Sequence, residues 1–411
     1  MTLTGTWFFV LTVGAAIAAF VITVLCWPHA RRDGVPAKAR ALLTRAGLLL
    51  TVNALVLLVA GTALNDTYQF YADWTDLGSS LFSSPPKVTA EHSGGSTAQT
   101  FGSKAIPTTP PRRARRHRVK ARLAYDKLVA EAGVADRLRT YTVHGPRSGL
   151  TGTVGVVLPK TYGDARYVDH HYPVLEAYHG FPGAPFQGID AIHLNTHLDS
   201  QVAAGKIADT MIVAPQLEIP NDVDTECLNG VRGTAQIETW ITQDIPTWVK
   251  QHFRVQTART SWSTIGLSMG GWCAAMSTML HPQTYSAGII LGGYFLPSFG
   301  DYHPYPRNSW LTGHYDLPAL AKRNPPPVAL WLESSRRDDL SFPSTQKLLA
   351  AARAPTSINA DILTHAGHRS SVWEALLNRA LDWLGRTVPG FHPSPTAQHA
   401  GEVALGPHHK H

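Results

Sequence analysis

The stretch Ser261-Trp262-Ser263-Thr264-Ile265-Gly266-Leu267-Ser268-Met269-Gly270-Gly271-Trp272-Cys273-Ala274-Ala275-Met276 decides the fold. Its first five residues read as a short strand, and Gly271 onward opens a small-residue helix. Between them Gly266-Leu267-Ser268-Met269-Gly270 fits G-x-S-x-G, a sharp strand-to-helix turn that exposes a serine hydroxyl. The serine backbone is strained in such a turn. Side chains at the two flanking positions would collide, and glycine removes them. A bare match also arises by chance as an ordinary Gly-rich turn, so the flanking strand and helix carry the reading.

Working outward, strand and helix patterns alternate. Strands are predicted over 151–158, 172–178, 210–214, 287–291, 328–332 and 358–363, and helices over 191–204, 237–253, 343–352 and 372–384. This alternation predicts an α/β fold, a mostly parallel, doubly wound sheet covered on both faces. Apolar residues at helical spacing predict one more, amphipathic helix over 119–135.

The chain of 411 residues is longer than one average domain. Residues 7–27 carry no charge, and 46–64 hold one strongly polar side chain, Asn53. Each is near the ~20 apolar residues that cross a bilayer as a helix. Met1–Thr6 has no Lys or Arg, which argues against a cleaved signal peptide. Arg31, Arg32, Lys38, Arg40 and Arg45 lie between the spans against one acid, Asp33. By the positive-inside rule that loop is cytoplasmic, and the rest of the chain is extracytoplasmic on a multi-pass plasma-membrane protein. The expected organisation is a transmembrane hairpin over 1–65, a flexible, partly basic linker over 66–118, a catalytic domain over 119–388 and a disordered His/Pro-rich tail over 389–411. Net charge is +7, concentrated in Arg112, Arg113, Arg115, Arg116, Arg118, Lys120 and Arg122. Outside a cell such a run contacts an anionic headgroup or cell-wall polymer, or is a solvated linker end; nucleic acid is not the expected partner.

A serine hydroxyl needs an oriented base. On this architecture the chain order is serine, then acid, then histidine. Asp338, with Asp339 as runner-up and Glu333 third, follows the strand 328–332. His368, with His365 as competitor, follows the last predicted strand. The backbone N–H groups of Met269 and Phe181 are the expected oxyanion donors, Phe181 standing in the Gly/Pro turn His179-Gly180-Phe181-Pro182-Gly183. His179, Glu226 and Trp272 are candidate substrate-lining residues, with a structural role equally open for Glu226 and Trp272. Cys227 and Cys273 form either a disulfide or two buried thiols, and Cys26 lies in the first span. His193 and His197 have the i, i+4 spacing of metal ligands, but the accompanying Glu of the zinc-protease pattern is missing, so a helix surface is the reading and no metal site is expected. The aromatic, Pro-rich stretch between Gly292 and Asn324 is expected to wall the site and to favour an apolar acyl or aryl group.

From Tyr141 to Leu384 the chain resembles the “putative esterase” family of α/β-hydrolases, which includes esterase D-like enzymes, feruloyl esterases and actinobacterial mycolyltransferases, with membrane-anchored actinobacterial members the most similar. The likeness rests on His179-Gly180-Phe181-Pro182-Gly183, Asp224-Thr225-Glu226-Cys227, Gly266-Leu267-Ser268-Met269-Gly270-Gly271, Arg337-Asp338-Asp339 and Ala366-Gly367-His368-Arg369. Ala366 departs from the pattern, since many relatives have a second glycine, and the Asp338-Asp339 pair leaves the acid open. The resemblance implies an ester or thioester substrate, or acyl transfer, and no metal or organic cofactor. Three readings follow: a membrane-anchored serine esterase acting on lipid or cell-envelope esters, an acyltransferase with the same triad, and a non-catalytic envelope-binding module.

Overall fold

The computed structural model describes residue 3 and residues 5–27, 34–82, 88–101, 137–300 and 302–393. The basic run Arg112–Arg122, the helix expected over 119–135 and the tail from 394 lie outside the described residues. The chain divides into two compact units, Met1–Lys87 with Thr364–Arg369, and Val88–Leu363 with Ser370–His411.

In the first unit, α1 (Thr6–Leu25) and α2 (Gly34–Tyr68) pack on each other, and α3 (Trp74–Leu81) follows. Thr12, near the start of α1, faces Thr62, near the end of α2, with their hydroxyl oxygens 3.4 Å apart and buried, so the pair is antiparallel. Leu11, Ile17, Val24, Leu50 and Leu57 point outward instead. Polar side chains inside and aliphatic ones outside invert the pattern of a water-soluble bundle. Both helices are long and apolar enough to cross a bilayer. Helix α2 begins well before the predicted span and takes in Lys38, Arg40 and Arg45. Lys, Arg, Ala and Leu are strong helix formers, so the helix does not stop where the apolar stretch does.

The second unit holds a nine-stranded sheet of order β1-β9-β8-β7-β6-β4-β5-β3-β2. The strands are β1 (Val88–Gly94), β2 (Leu138–His144), β3 (Thr151–Val157), β4 (Val174–Tyr178), β5 (Met211–Pro215), β6 (Trp262–Leu267), β7 (Ala287–Leu291), β8 (Ala329–Ser335) and β9 (Ser357–Leu363). Strands β5, β4, β6, β7, β8 and β9 run parallel; β1, β2 and β3 pair antiparallel at the two edges. Strands β4 to β7 are buried at every position, because helices cover both faces of a parallel sheet. The α/β-hydrolase architecture expected from the sequence is the one observed.

Strand β4 lies between β5 and β6. Successive crossovers therefore run in opposite directions, and the loops after β4 and β6 leave side by side. Such switch points are where open α/β sheets bind ligands.

Three expectations need correction. The segment read as linker over 66–118 contains α3 and β1, and β1 extends the sheet by pairing with β9. Val88-Thr89-Ala90-Glu91-His92-Ser93-Gly94 is too polar to read as a strand alone, and an edge strand needs only one partner. The helix expected over 237–253 contains a π turn at Trp240–Asp244 just before Pro246, whose missing N–H cannot close an ordinary helical bond. The tail begins with order, since Pro389–Phe391 forms a 3₁₀ turn, Phe391 is fully buried and its carbonyl accepts the Ala208 N–H at 2.9 Å. Burying one such phenylalanine stabilises by about 2–3 kcal/mol, enough to hold a short turn.

Candidate active site

Ser268 sits between β6 and the helix Met269–Leu280 with φ 56° and ψ −123°, half-buried. Positive φ is costly for a residue with a Cβ, on the order of 1–3 kcal/mol, and the surroundings hold it in place. Its N–H donates to the Leu291 carbonyl at 2.9 Å and its carbonyl accepts from Gly271 N–H at 2.9 Å. The neighbouring glycines answer to sterics. A Cβ on Gly266 would strike the Gly270 carbonyl, and one on Gly270 would strike the Tyr178 and His179 carbonyls.

Register places Tyr178 beside Gly266, so the loop His179–Gly183 starts next to the serine turn. A Cβ on Gly180 would lie 3.5 Å from the Ser268 Cβ. Phe181 is exposed and Met269 opens the helix; neither N–H meets an acceptor among the described residues. First-turn N–H groups of a helix have no intrahelical partner and carry partial positive charge.

His179 is buried, and its contacts fix its tautomer. Nδ1–H donates to the Gly180 carbonyl at 2.8 Å, and Nε2 accepts the Leu217 N–H at 3.3 Å. Burial pushes the imidazole below its ordinary range, although the Gly180 bond opposes this. His179 is therefore a neutral brace that pins the loop to the end of β5. Glu218 adds a second brace by accepting the Gly183 N–H at 2.5 Å, a role that nothing in the sequence signalled.

Glu226 and Trp272 are also buried rather than open to substrate. Trp272 Nε1–H donates to the Glu226 carbonyl at 2.8 Å, and the Glu226 carboxyl accepts from Tyr294 O–H and from Ser298 N–H. Burial and the nearby Asp224 push the Glu226 carboxyl up to about 8. Cys227 and Cys273 are disulfide-bonded with Cα atoms 5.7 Å apart, which ties this loop to the serine helix. In the stretch expected to wall the site, Tyr294, Phe295, Tyr305 and Tyr315 are buried, so much of its aromatic content packs the core.

The two aspartates after β8 differ. Asp338 is buried: Oδ1 accepts the Leu340 and Ser341 N–H groups at 3.0 and 3.1 Å, and Oδ2 accepts the Ser341 hydroxyl at 2.7 Å. Asp339 is exposed. Glu333 ends within β8 and accepts the Gly292 N–H at 3.0 Å; burial and then Asp338 push its carboxyl up to about 8.

The structure thus brings Ser268, Met269, Phe181 and Asp338 to the carboxyl ends of parallel strands in the second unit. His368 belongs to Thr364–Arg369, which packs within the first unit. There His368 N–H donates to the Gln69 carbonyl at 2.8 Å, and His365 Nδ1 lies 2.7 Å from the Asp73 carboxylate. His193 and His197 lie 2.9 and 3.3 Å from Glu374 Oε1, and no group suited to a metal ion occurs among the described residues.

Comparison with known proteins agrees with this architecture. The “Putative esterase” family matches residues 148–384, more than half of the chain. An uncharacterized protein of Corynebacterium glutamicum is 26% identical over 128 residues, covering 31% of this chain and 30% of the relative. A diacylglycerol acyltransferase/mycolyltransferase of Mycobacterium avium is 33% identical over 72 residues, covering 18% and 20%. The chain therefore spans less than a third of the length of these curated relatives. The solved structure of a ferulic acid esterase superposes with a TM-score of 0.51 at 20% identity, covering 61% of this chain and 97% of that one, and so shares the fold. The chain belongs to the “Putative esterase” family.

Proposed function

We propose that the chain is a membrane-anchored serine esterase that hydrolyses carboxylic esters on the outer face of the membrane. The observation that carries the reading is Ser268, held at positive φ between glycines, beside a loop braced by His179 and Glu218. Ser268 Oγ attacks the acyl carbonyl while His368 takes its proton. The oxyanion rests on the Phe181 and Met269 N–H groups. His368 returns the proton to the leaving alcohol as the acyl-enzyme forms, and water, activated in the same way, releases the acid. Asp338 orients His368. Its burial and three accepted hydrogen bonds favour it over exposed Asp339, because an orienting acid must itself be fixed.

Helices α1 and α2 serve as the anchor, and the basic residues between them and early in α2 support outward-facing termini. The Cys227–Cys273 bond supports the same side, since disulfides persist in oxidising compartments. Arg112–Arg122 would meet anionic envelope groups.

Fluorophosphonate labelling of the full chain tests the mechanism: wild type takes the label and Ser268→Ala does not. An unlabelled, folded wild type would sink the reading. Protease accessibility of the second unit in right-side-out vesicles tests the topology. The match to the M. avium acyltransferase favours a second reading, transfer of the acyl group to a sugar or lipid hydroxyl. Products formed with a polyol acceptor separate the two, and the absence of any acylated polyol removes transfer.

A further inference from the structure

The loop that carries His368 is gripped at nearly every residue by the few residues that follow the second long helix. Helix α2 ends at Tyr68, and Gln69 turns the chain with φ 54°. Asn65 fastens that turn to the helix: its Nδ2–H donates to the Tyr71 carbonyl at 3.0 Å and its Oδ1 accepts the Tyr71 N–H at 2.7 Å. Asp73 caps α3 by accepting the Asp76 N–H at 2.9 Å. The result is a rigid bend, Asn65–Asp76, continuous with a helix long enough to cross a bilayer.

Onto this bend the loop docks through charge and backbone. Arg369 forks onto buried Asp76 at 2.7 and 2.8 Å, donates to the Phe70 carbonyl at 2.8 Å and lies 4.9 Å from the centre of the Tyr71 ring. A two-pronged guanidinium–carboxylate pair fixes orientation as well as distance. The side chains of Asp76 and Arg369 are 2% and 14% exposed, so solvent screens the pair little. His368 hangs from the Gln69 carbonyl by its own N–H, and Gly367 passes so close to the Phe70 carbonyl that a Cβ would overlap it.

We infer that the bend Asn65–Asp76 is the positioning element for His368, with Asp76 and Arg369 as its positioning residues. The proposed anchor is then part of the catalytic apparatus and does more than tether it. This rests on the proposed role of His368 as base. A base displaced by about 1 Å loses on the order of a hundred-fold in rate.

The test uses full-length protein in detergent micelles, with p-nitrophenyl ester turnover and the rate of fluorophosphonate labelling as readouts. Asp76→Ala is expected to lower kcat and the labelling rate together by on the order of a hundred-fold, with KM within about two-fold, since ground-state binding is untouched. Asp76→Glu, which keeps the charge, is expected to regain part of the loss. Should Asp76→Ala fail to fold, as judged by its melting curve, Arg369→Lys decides by the same criteria, because it keeps the charge and loses the fork. Labelling and kcat at the wild-type rate in the decisive variant overturn this inference alone. A wild type that takes no label overturns the serine mechanism, and this inference with it.

Discussion

Removing the Cys227–Cys273 bond is expected to destabilise the second unit without erasing the geometry around Ser268. The bridge joins residues 46 apart in sequence. Chain-entropy arithmetic for a loop of that length is about 13–14 cal/mol/K, or about 4 kcal/mol at 25 °C. A counter-term comes from the bridged loop itself. Glu226 and Cys227 hold φ of 51° and 55°, and relaxing two such residues recovers on the order of 1 kcal/mol each. The net loss is about 2–4 kcal/mol, which for a unit of this size lowers Tm by roughly 4–8 °C. Both cysteines are fully buried, so the variant is Cys227→Ala/Cys273→Ala; serines would bury hydroxyls. The measurement is thermal unfolding in detergent, alongside wild type with and without dithiothreitol. Trp272, Tyr294 and Ser298 still hold Glu226, so labelling of Ser268 at 25 °C is expected to continue. A Tm shift under about 2 °C would refute the account of the bridge as a stabilising tie.

The remaining expectations concern single residues. Asp338→Asn should lower kcat by on the order of 10³–10⁴-fold, while Asp339→Asn stays within about three-fold; the reverse order in ester turnover would move the orienting role to Asp339. Gly270→Ala should cost roughly 1–3 kcal/mol or more, because its Cβ meets two backbone carbonyls that cannot rotate away; an unchanged melting curve contradicts the close packing. The Glu226 carboxyl titrates at about 8 in the folded chain, above its ordinary value, so its contribution to stability is full below about pH 4.5 and is lost as pH rises toward and through 8. Glu226→Gln resembles the protonated acid and should flatten the decline in Tm between about pH 5 and 8; a variant that tracks wild type across that window disproves the assignment.

Much of the fold was legible because its signals are local. Strands β4 to β9 read as apolar runs at helix-separated intervals, and Gly266–Gly270 announced a turn so tight that a Cβ at either flanking position would strike backbone carbonyls. Edge strands β1 and β2 were not legible, since half of each faces solvent and their partners are distant in sequence. For a related reason His179 read as a candidate substrate contact, and Glu226 and Trp272 as either that or structural residues. Residues near the serine turn look like substrate contacts in sequence, whereas their burial and hydrogen-bond partners make them braces.

Contiguous residues carried the Ser268 turn, the chain order of the expected acid and base, and two apolar helices, because strain, chain order and hydrophobic length are local properties. Folding in three dimensions set which aspartate is buried, that Cys227 meets Cys273, and that Arg369 reaches back 293 residues to Asp76. Those outcomes depend on burial and on side chains meeting across long stretches of chain, which no local pattern encodes.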